Sequence, residues 1–200
     1  MKCFLKVLLV LLIVGAGVAW IFFNGDFDDW FGTKSTLSLQ GKKVLVVCYS
    51  KTGNTLAVAK RLREATGADF FEIEPVTPYP EDYRATVAQA KKELDAQFRP
   101  PLKAKVANLA AYDVVFLGSP VWYGTVACPV FTFLEENDLS GKTVVPFVTH
   151  GGGGKSRSFE EVRRLCPKST VVKGKAFFDK ALKVTDYRLD SWVKELSSTK

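Results

Sequence analysis

Between residues 44 and 178 the chain alternates two hydrophobic rhythms. Val44-Leu45-Val46-Val47-Cys48-Tyr49 is apolar at nearly every position, which suits a strand covered on both faces of a parallel sheet rather than one with a wet face. The run breaks at Ser50-Lys51-Thr52-Gly53-Asn54-Thr55, after which Leu56, Ala59 and Leu62 fall into a helical spacing that stops at Gly67. The same alternation then repeats. Strands are predicted over 69–74, 112–118, 143–149 and 170–178, and helices over 83–98, from about 128 to 135, over 156–165 and over 185–196. Loops are predicted over 75–80 and 119–128. Strand and helix exchange five times. This predicts an α/β fold, a doubly wound five-stranded parallel sheet with helices on both faces. Ligands of such sheets lie outside the carboxyl ends of the strands.

The segment before this pattern obeys a different rule. From Val7 to Gly25 there is no charged residue, and about 20 apolar residues suffice to cross a bilayer. One N-terminal transmembrane helix over residues 1–25 is therefore expected, joined by a linker over 26–41 to a domain over 42–200. Lys2 and Lys6 precede the run, whereas Asp26, Asp28 and Asp29 follow it, a bias that places the domain outside the cytoplasm. A cleaved signal peptide is the alternative, since Gly17 and Ala19 are small enough for processing. Trp20-Ile21-Phe22-Phe23 extends the apolar run past that point, as an anchor would.

Composition narrows the classes further. With 47% hydrophobic and 24% charged residues, 15 Gly and 9 Pro, the chain is neither disordered nor collagen-like. Its 4 Cys have neither the density of a disulfide scaffold nor zinc-site spacing. The net charge of +7 arises wholly in residues 142–200, where 13 basic residues stand against 6 acidic ones. Such an excess favours an acidic protein partner, an anionic lipid surface or a phosphate ligand; no nucleic acid is expected as a partner.

Three loops carry candidate chemistry. Ser50-Lys51-Thr52-Gly53-Asn54-Thr55 opens a helix, where backbone N–H groups and hydroxyls can surround a phosphate; the plain alternative is a capped turn in which Ser or Thr satisfies those N–H groups. Gly118-Ser119-Pro120-Val121-Trp122-Tyr123-Gly124 sets two large aromatics in a loop, suited to cover a flat conjugated ring or to form a protein-binding patch. Thr149-His150-Gly151-Gly152-Gly153-Gly154-Lys155-Ser156 imitates a nucleotide-binding P-loop, but Thr149 stands where that pattern requires Gly, so its glycines suit a backbone lying close to a ligand edge instead. His150 is the only histidine, and a loop hydrogen bond suits it better than catalysis.

Taken together, Ser50 to Thr55, Gly118 to Gly124 and Thr149 to Gly152 resemble the three flavin-contacting loops of the flavodoxin family. Glu72-Ile73-Glu74-Pro75 and Tyr79-Pro80-Glu81-Asp82-Tyr83 resemble a bacterial flavodoxin-like subfamily. The resemblance implies noncovalent FMN and electron transfer. Its cofactor-binding residues would be Ser50, Lys51, Thr52, Gly53, Asn54 and Thr55 about the phosphate. Ser119, Pro120, Val121, Trp122, Tyr123 and Gly124 would lie about the isoalloxazine, with Thr149, His150, Gly151 and Gly152 along its remaining edge. An FMN-dependent NAD(P)H:quinone or flavin reductase and a flavin-free interaction module are the competing functions. A basic, tethered domain departs from the acidic soluble members, which points to an acidic redox partner protein or to the membrane itself.

Overall fold

The computed structural model describes residues 37–179 together with 191, 192 and 194. The expected anchor over 1–25, most of the linker and nearly all of the final helix lie outside the described residues. Among the described residues, no helix is long and apolar enough to cross a membrane.

The strands are β1 Val44–Cys48, β2 Asp69–Glu72, β3 Val114–Trp122, β4 Thr125–Val126, β5 Thr143–His150, β6 Thr170–Val171 and β7 Lys175–Phe178; the helices are α1 Asn54–Thr66, α2 Tyr83–Asp95, α3 Cys128–Glu136 and α4 Ser158–Leu165. The main sheet runs β2-β1-β3-β5-β6 with every pairing parallel, and β7 also joins β5 in parallel. The expected doubly wound sheet is present. Successive strand side chains point to opposite faces. Val44, Val46, Cys48, Val114, Phe116, Val145 and Phe147 accordingly join Val58, Ala59 and Leu62 of α1 in one core. Leu45, Val47, Tyr49, Val115, Leu117 and Val144 join α3 and Val162 of α4 in another. This two-sided burial is why β1 and the inner parts of β3 and β5 are apolar, whereas the edge strand β2 is half-exposed and carries Asp69 and Glu72.

The hairpin departs from expectation. The third strand does not end at Gly118, for β3 continues to Trp122 and pairs with β5 as far as Pro120 opposite Thr149. It then folds back through Tyr123 and Gly124 onto β4, with Trp122 opposite Thr125. Tyr123 and Gly124 have φ of 49° and 77°, the pair of positive angles a two-residue type I′ turn requires. A Gly- and Pro-rich stretch that reads as loop by composition is thus an extended ribbon.

The fifth strand is split. Val144 faces Val171 while Phe147 faces Lys175, so three steps along β5 match four along its neighbour. The extra residue forms a bulge opposite Pro146, which has no N–H to donate to a ladder. Gly174 allows the close approach there: a Cβ would come within 2.1 Å of the Pro146 carbonyl oxygen.

Candidate functional site

Register brings the three loops to one edge. Cys48 at the end of β1 pairs with Gly118 of β3, Gly118 pairs with Phe147 of β5, and Tyr49 N–H donates to the Gly118 carbonyl at 3.1 Å. Gly118 is dictated by packing, since a Cβ would lie 2.3 Å from Phe147 Cζ and 2.9 Å from Cys48 Cβ. The segments after β1, β3 and β5 therefore leave side by side at the carboxyl ends of the central strands.

The loop after β1 is shaped by its backbone. Gly53, at φ 86°, ends the loop in the left-handed region, and no side chain caps the N-terminus of α1. The capped-turn alternative fails on that observation. The first-turn N–H groups, with their share of the helix dipole, are left without a side-chain acceptor and can meet an anion. Ser50 Oγ is buried without a hydrogen-bond partner, an unsatisfied group of the kind a bound ligand would complete. Thr52 and Gly53 are exposed, and Lys51 and Asn54 are half-buried. Thr55 differs: its hydroxyl lies 2.7 Å from the Thr149 hydroxyl, and both residues are buried. That contact fastens the phosphate-type loop to the end of β5.

The hairpin side chains are mostly engaged already. Ser119, buried, donates through Oγ to the Pro120 carbonyl and accepts from Ala127 N–H at 2.9 Å, so its hydroxyl anchors the ribbon. Pro120, Val121 and Gly124 are half-buried. Trp122 is half-buried with Tyr79 at 4.9 Å and Tyr49 at 5.6 Å between ring centroids, both edge-on. Tyr123 is 48% exposed, and its hydroxyl donates to the Val87 carbonyl of α2 at 3.1 Å. In the third loop Gly152 N–H donates to His150 Nδ1 at 3.1 Å, the loop hydrogen bond expected of that histidine. Gly151 and Gly152 are exposed, and a Cβ on Gly152 would meet nothing within 4 Å. The edge is open to a ligand.

Sequence reasoning missed the supports beneath these loops. Tyr49 and Tyr79, both buried, clamp Trp122. Burial, and secondarily the Glu93 carboxylate, pushes the Tyr49 hydroxyl well above the usual phenol range; burial and then its hydrogen bond to Glu93 does the same for Tyr79. Both phenols stay protonated, and Tyr79 spends its one proton on Glu93. Tyr79 stood within a quoted motif, but nothing in the helical rhythm of α2 singles out Glu93. Beside Tyr123, a cleft of about 430 Å³ opens between α2 and α4, walled by Lys91, Arg99, Arg157 and Arg164 with Asp95 and Glu161 among them. Lys142, part of the C-terminal cationic excess, lies elsewhere: it is buried and donates to the carbonyls of Ala110 and Tyr112.

An uncapped helix start and an aromatic ribbon, flanking the point where the strand order β2-β1-β3 reverses, define a flavodoxin-like FMN-binding redox protein. A family model described as flavodoxin matches residues 43–196. The chain belongs to the flavodoxin family, and its cofactor is FMN. It is 30% identical over 136 residues to an NAD(P)H dehydrogenase (quinone) of Cupriavidus metallidurans, covering 62% of this chain and 65% of that one. It is 31% identical over 102 residues to Flavodoxin 1 of Escherichia coli K12, covering 49% and 44% respectively. The chain thus spans less than two thirds of the length of either relative. Among solved structures, one assigned as a flavoprotein from Bacteroides eggerthii superposes with a TM-score of 0.68 at 31% identity, over 78% of this chain and 98% of that one. A Lactobacillus acidophilus flavoprotein in complex with FMN superposes at 0.63 and 21% identity, over 76% and 99%, and shares the fold.

Proposed function

We propose that the chain is an electron carrier in which the N-terminus of α1 holds the FMN phosphate and Trp122 packs on the flavin ring. The observation that carries this is the uncapped start of α1 with its unpartnered, buried Ser50 hydroxyl. Bound FMN supplies the redox chemistry, and the protein supplies binding, orientation and exclusion of water. Ser50, Thr52 and the N–H groups through Asn54 bind the phosphate, with Lys51 adding charge. Thr55 positions the loop through Thr149 rather than offering a free hydroxyl. Gly151 and Gly152 let backbone approach the ring edge without side-chain obstruction. Beside the exposed Tyr123 the cleft holds Arg157 and three further cations that already pair with Asp95, Glu135 and Glu161, and the surplus of positive charge supports an acidic redox partner docking there.

A second reading, an FMN-dependent quinone reductase, is favoured by the 30% identical NAD(P)H dehydrogenase (quinone) relative. Two measurements on the purified full chain decide. A yellow protein with one FMN per chain is expected, and a colourless one that takes up no added FMN would sink both readings. Steady-state oxidation of NADH or NADPH by quinone, if found, replaces the carrier with the reductase.

Residues 4–23 hold the domain at the membrane, outside the cytoplasm. The charge-free run from Val7 to Gly25 and the Lys2/Lys6 against Asp26/Asp28/Asp29 asymmetry support this. Protease added to intact spheroplasts should digest the domain; protection until lysis reverses the assignment.

A further inference from the structure

Glu93 is a carboxylate in an unusual place. It lies on the inward face of α2, is 7% exposed, and forms no ion pair among the described residues. Its carboxylate accepts from the Tyr79 hydroxyl and from Gln89 Nε2 at 2.8 Å, and the Cys128 thiol lies against it. Burying a carboxylate is unfavourable unless its oxygens are satisfied. An apolar residue would pack as well at this position if burial were the only demand, as Ala90 does one turn earlier on the same face. What the carboxylate adds is an acceptor for the Tyr79 hydroxyl, which in a site only 5% exposed would otherwise be an unsatisfied donor. Tyr79 is in turn the ring nearest Trp122, at 4.9 Å and 79°, and Tyr49 also contacts Trp122, at 5.6 Å and 88°. Tyr49 and Tyr79 also touch each other, at 6.1 Å. The chain of contacts from Glu93 through Tyr79 to Trp122 is continuous.

We propose that Glu93 and Tyr79 are positioning residues that fix the plane of Trp122, and so set affinity for the flavin ring rather than for its phosphate. The proposal rests on the reading that Trp122 packs on FMN. A flavin-free readout separates the two. In the full chain labelled with 5-fluorotryptophan, the 4 tryptophans each give a fluorine resonance, and Trp122→Phe assigns the one of interest. Tyr79→Phe keeps the ring and removes only the hydroxyl. Its Trp122 resonance in the apoprotein should shift or broaden while that of Trp192, in the opposite core, stays put. FMN and riboflavin should each bind about tenfold more weakly, with their ratio unchanged, because a Trp122 ring no longer held in plane must be ordered on binding. Glu93→Leu should behave alike, and Glu93→Gln, which retains an acceptor for Tyr79, should return both readouts toward wild type. Should Glu93→Leu not fold, Tyr79→Phe carries the test alone. An unmoved Trp122 resonance in folded Tyr79→Phe overturns the proposal, as does a loss confined to FMN. If wild-type protein takes up neither flavin, the FMN reading falls, and the tryptophan resonance still decides the positioning role.

Discussion

The two loops that flank the β1–β3 junction are built in opposite ways, and on the proposed reading each would hold a different part of one ligand. The segment from Ser50 to Thr55 is preorganised through its main chain: Gly53 sets the angle, α1 starts without a side-chain cap, and the Ser50 hydroxyl has no partner. In the hairpin from Gly118 to Val126 nearly every side chain is committed, Ser119 to the ribbon, Trp122 to two tyrosines and Tyr123 to α2. An anion site can leave its donors unmet, because the ligand brings the missing acceptors. A stacking surface must be rigid beforehand, since its contact depends on the orientation of a ring.

The strongest way to break this comparison is to damage the floor that both regions share. Gly118→Val drives new carbons into Phe147 and Cys48, where even one Cβ would lie 2.3 Å and 2.9 Å from their atoms. About 3 kcal/mol of stability should be lost to overpacking, seen as a lower urea midpoint, and FMN and riboflavin should weaken together. An unchanged midpoint would mean that Phe147 yields freely. Next in size, Ser50→Ala and Thr52→Ala should each weaken FMN by roughly 1.5 to 3 kcal/mol, the range for a hydrogen bond to a charged group. Riboflavin, which lacks the phosphate, should hardly respond. Equal losses for both flavins in a titration would remove the phosphate assignment.

A smaller effect sharpens the other side. Trp122→Ala should cost both flavins about 1 kcal/mol beyond the lost area, without discriminating between them, and riboflavin titration checks it. The least effect at neutral pH concerns the thiols that border the two regions. Burial pushes Cys48, just before the first loop, and Cys128, just after the hairpin, up to about 12, and Cys166 to about 11. The folded state therefore holds these thiols protonated where the unfolded chain, at 9.0, would release the proton. Their contribution is complete below about pH 9 and is lost as pH rises beyond it. In a Cys3→Ser background, no thiol should react with a disulfide reagent at about pH 8 until the protein unfolds, and the urea midpoint should fall above pH 9. A midpoint flat through that range would mean that the thiols are not sealed.

What could be read in the chain follows the same division. The strands and α1 are legible because two-sided burial writes an unbroken apolar run and a left-handed Gly67 ends the helix. The turn into α1 at Gly53 is legible because its backbone signal is local. The hairpin is not, because Gly118, Pro120 and Gly124 carry loop propensities that the pairing of β3 with β5 and β4 overrides. Nor could spacing show that Thr55 meets Thr149, 94 residues away. Glu93 was hidden for a related reason: its partner Tyr79 precedes the helix, and a polar residue within an amphipathic pattern ordinarily marks the solvent side.

The bulge opposite Pro146 bears on how molecules of this protein tolerate one another. A sheet that stops in a straight strand offers a neighbour a free row of amides and carbonyls, the template from which intermolecular ribbons and fibrils grow. Among the described residues the outermost row consists of two residues, an interruption and four more, with Lys173 in the interruption and Lys175 after it. A second copy approaching that side would find no continuous ladder. The interruption opposite Pro146 thus makes that side a poor template for pairing with a second copy.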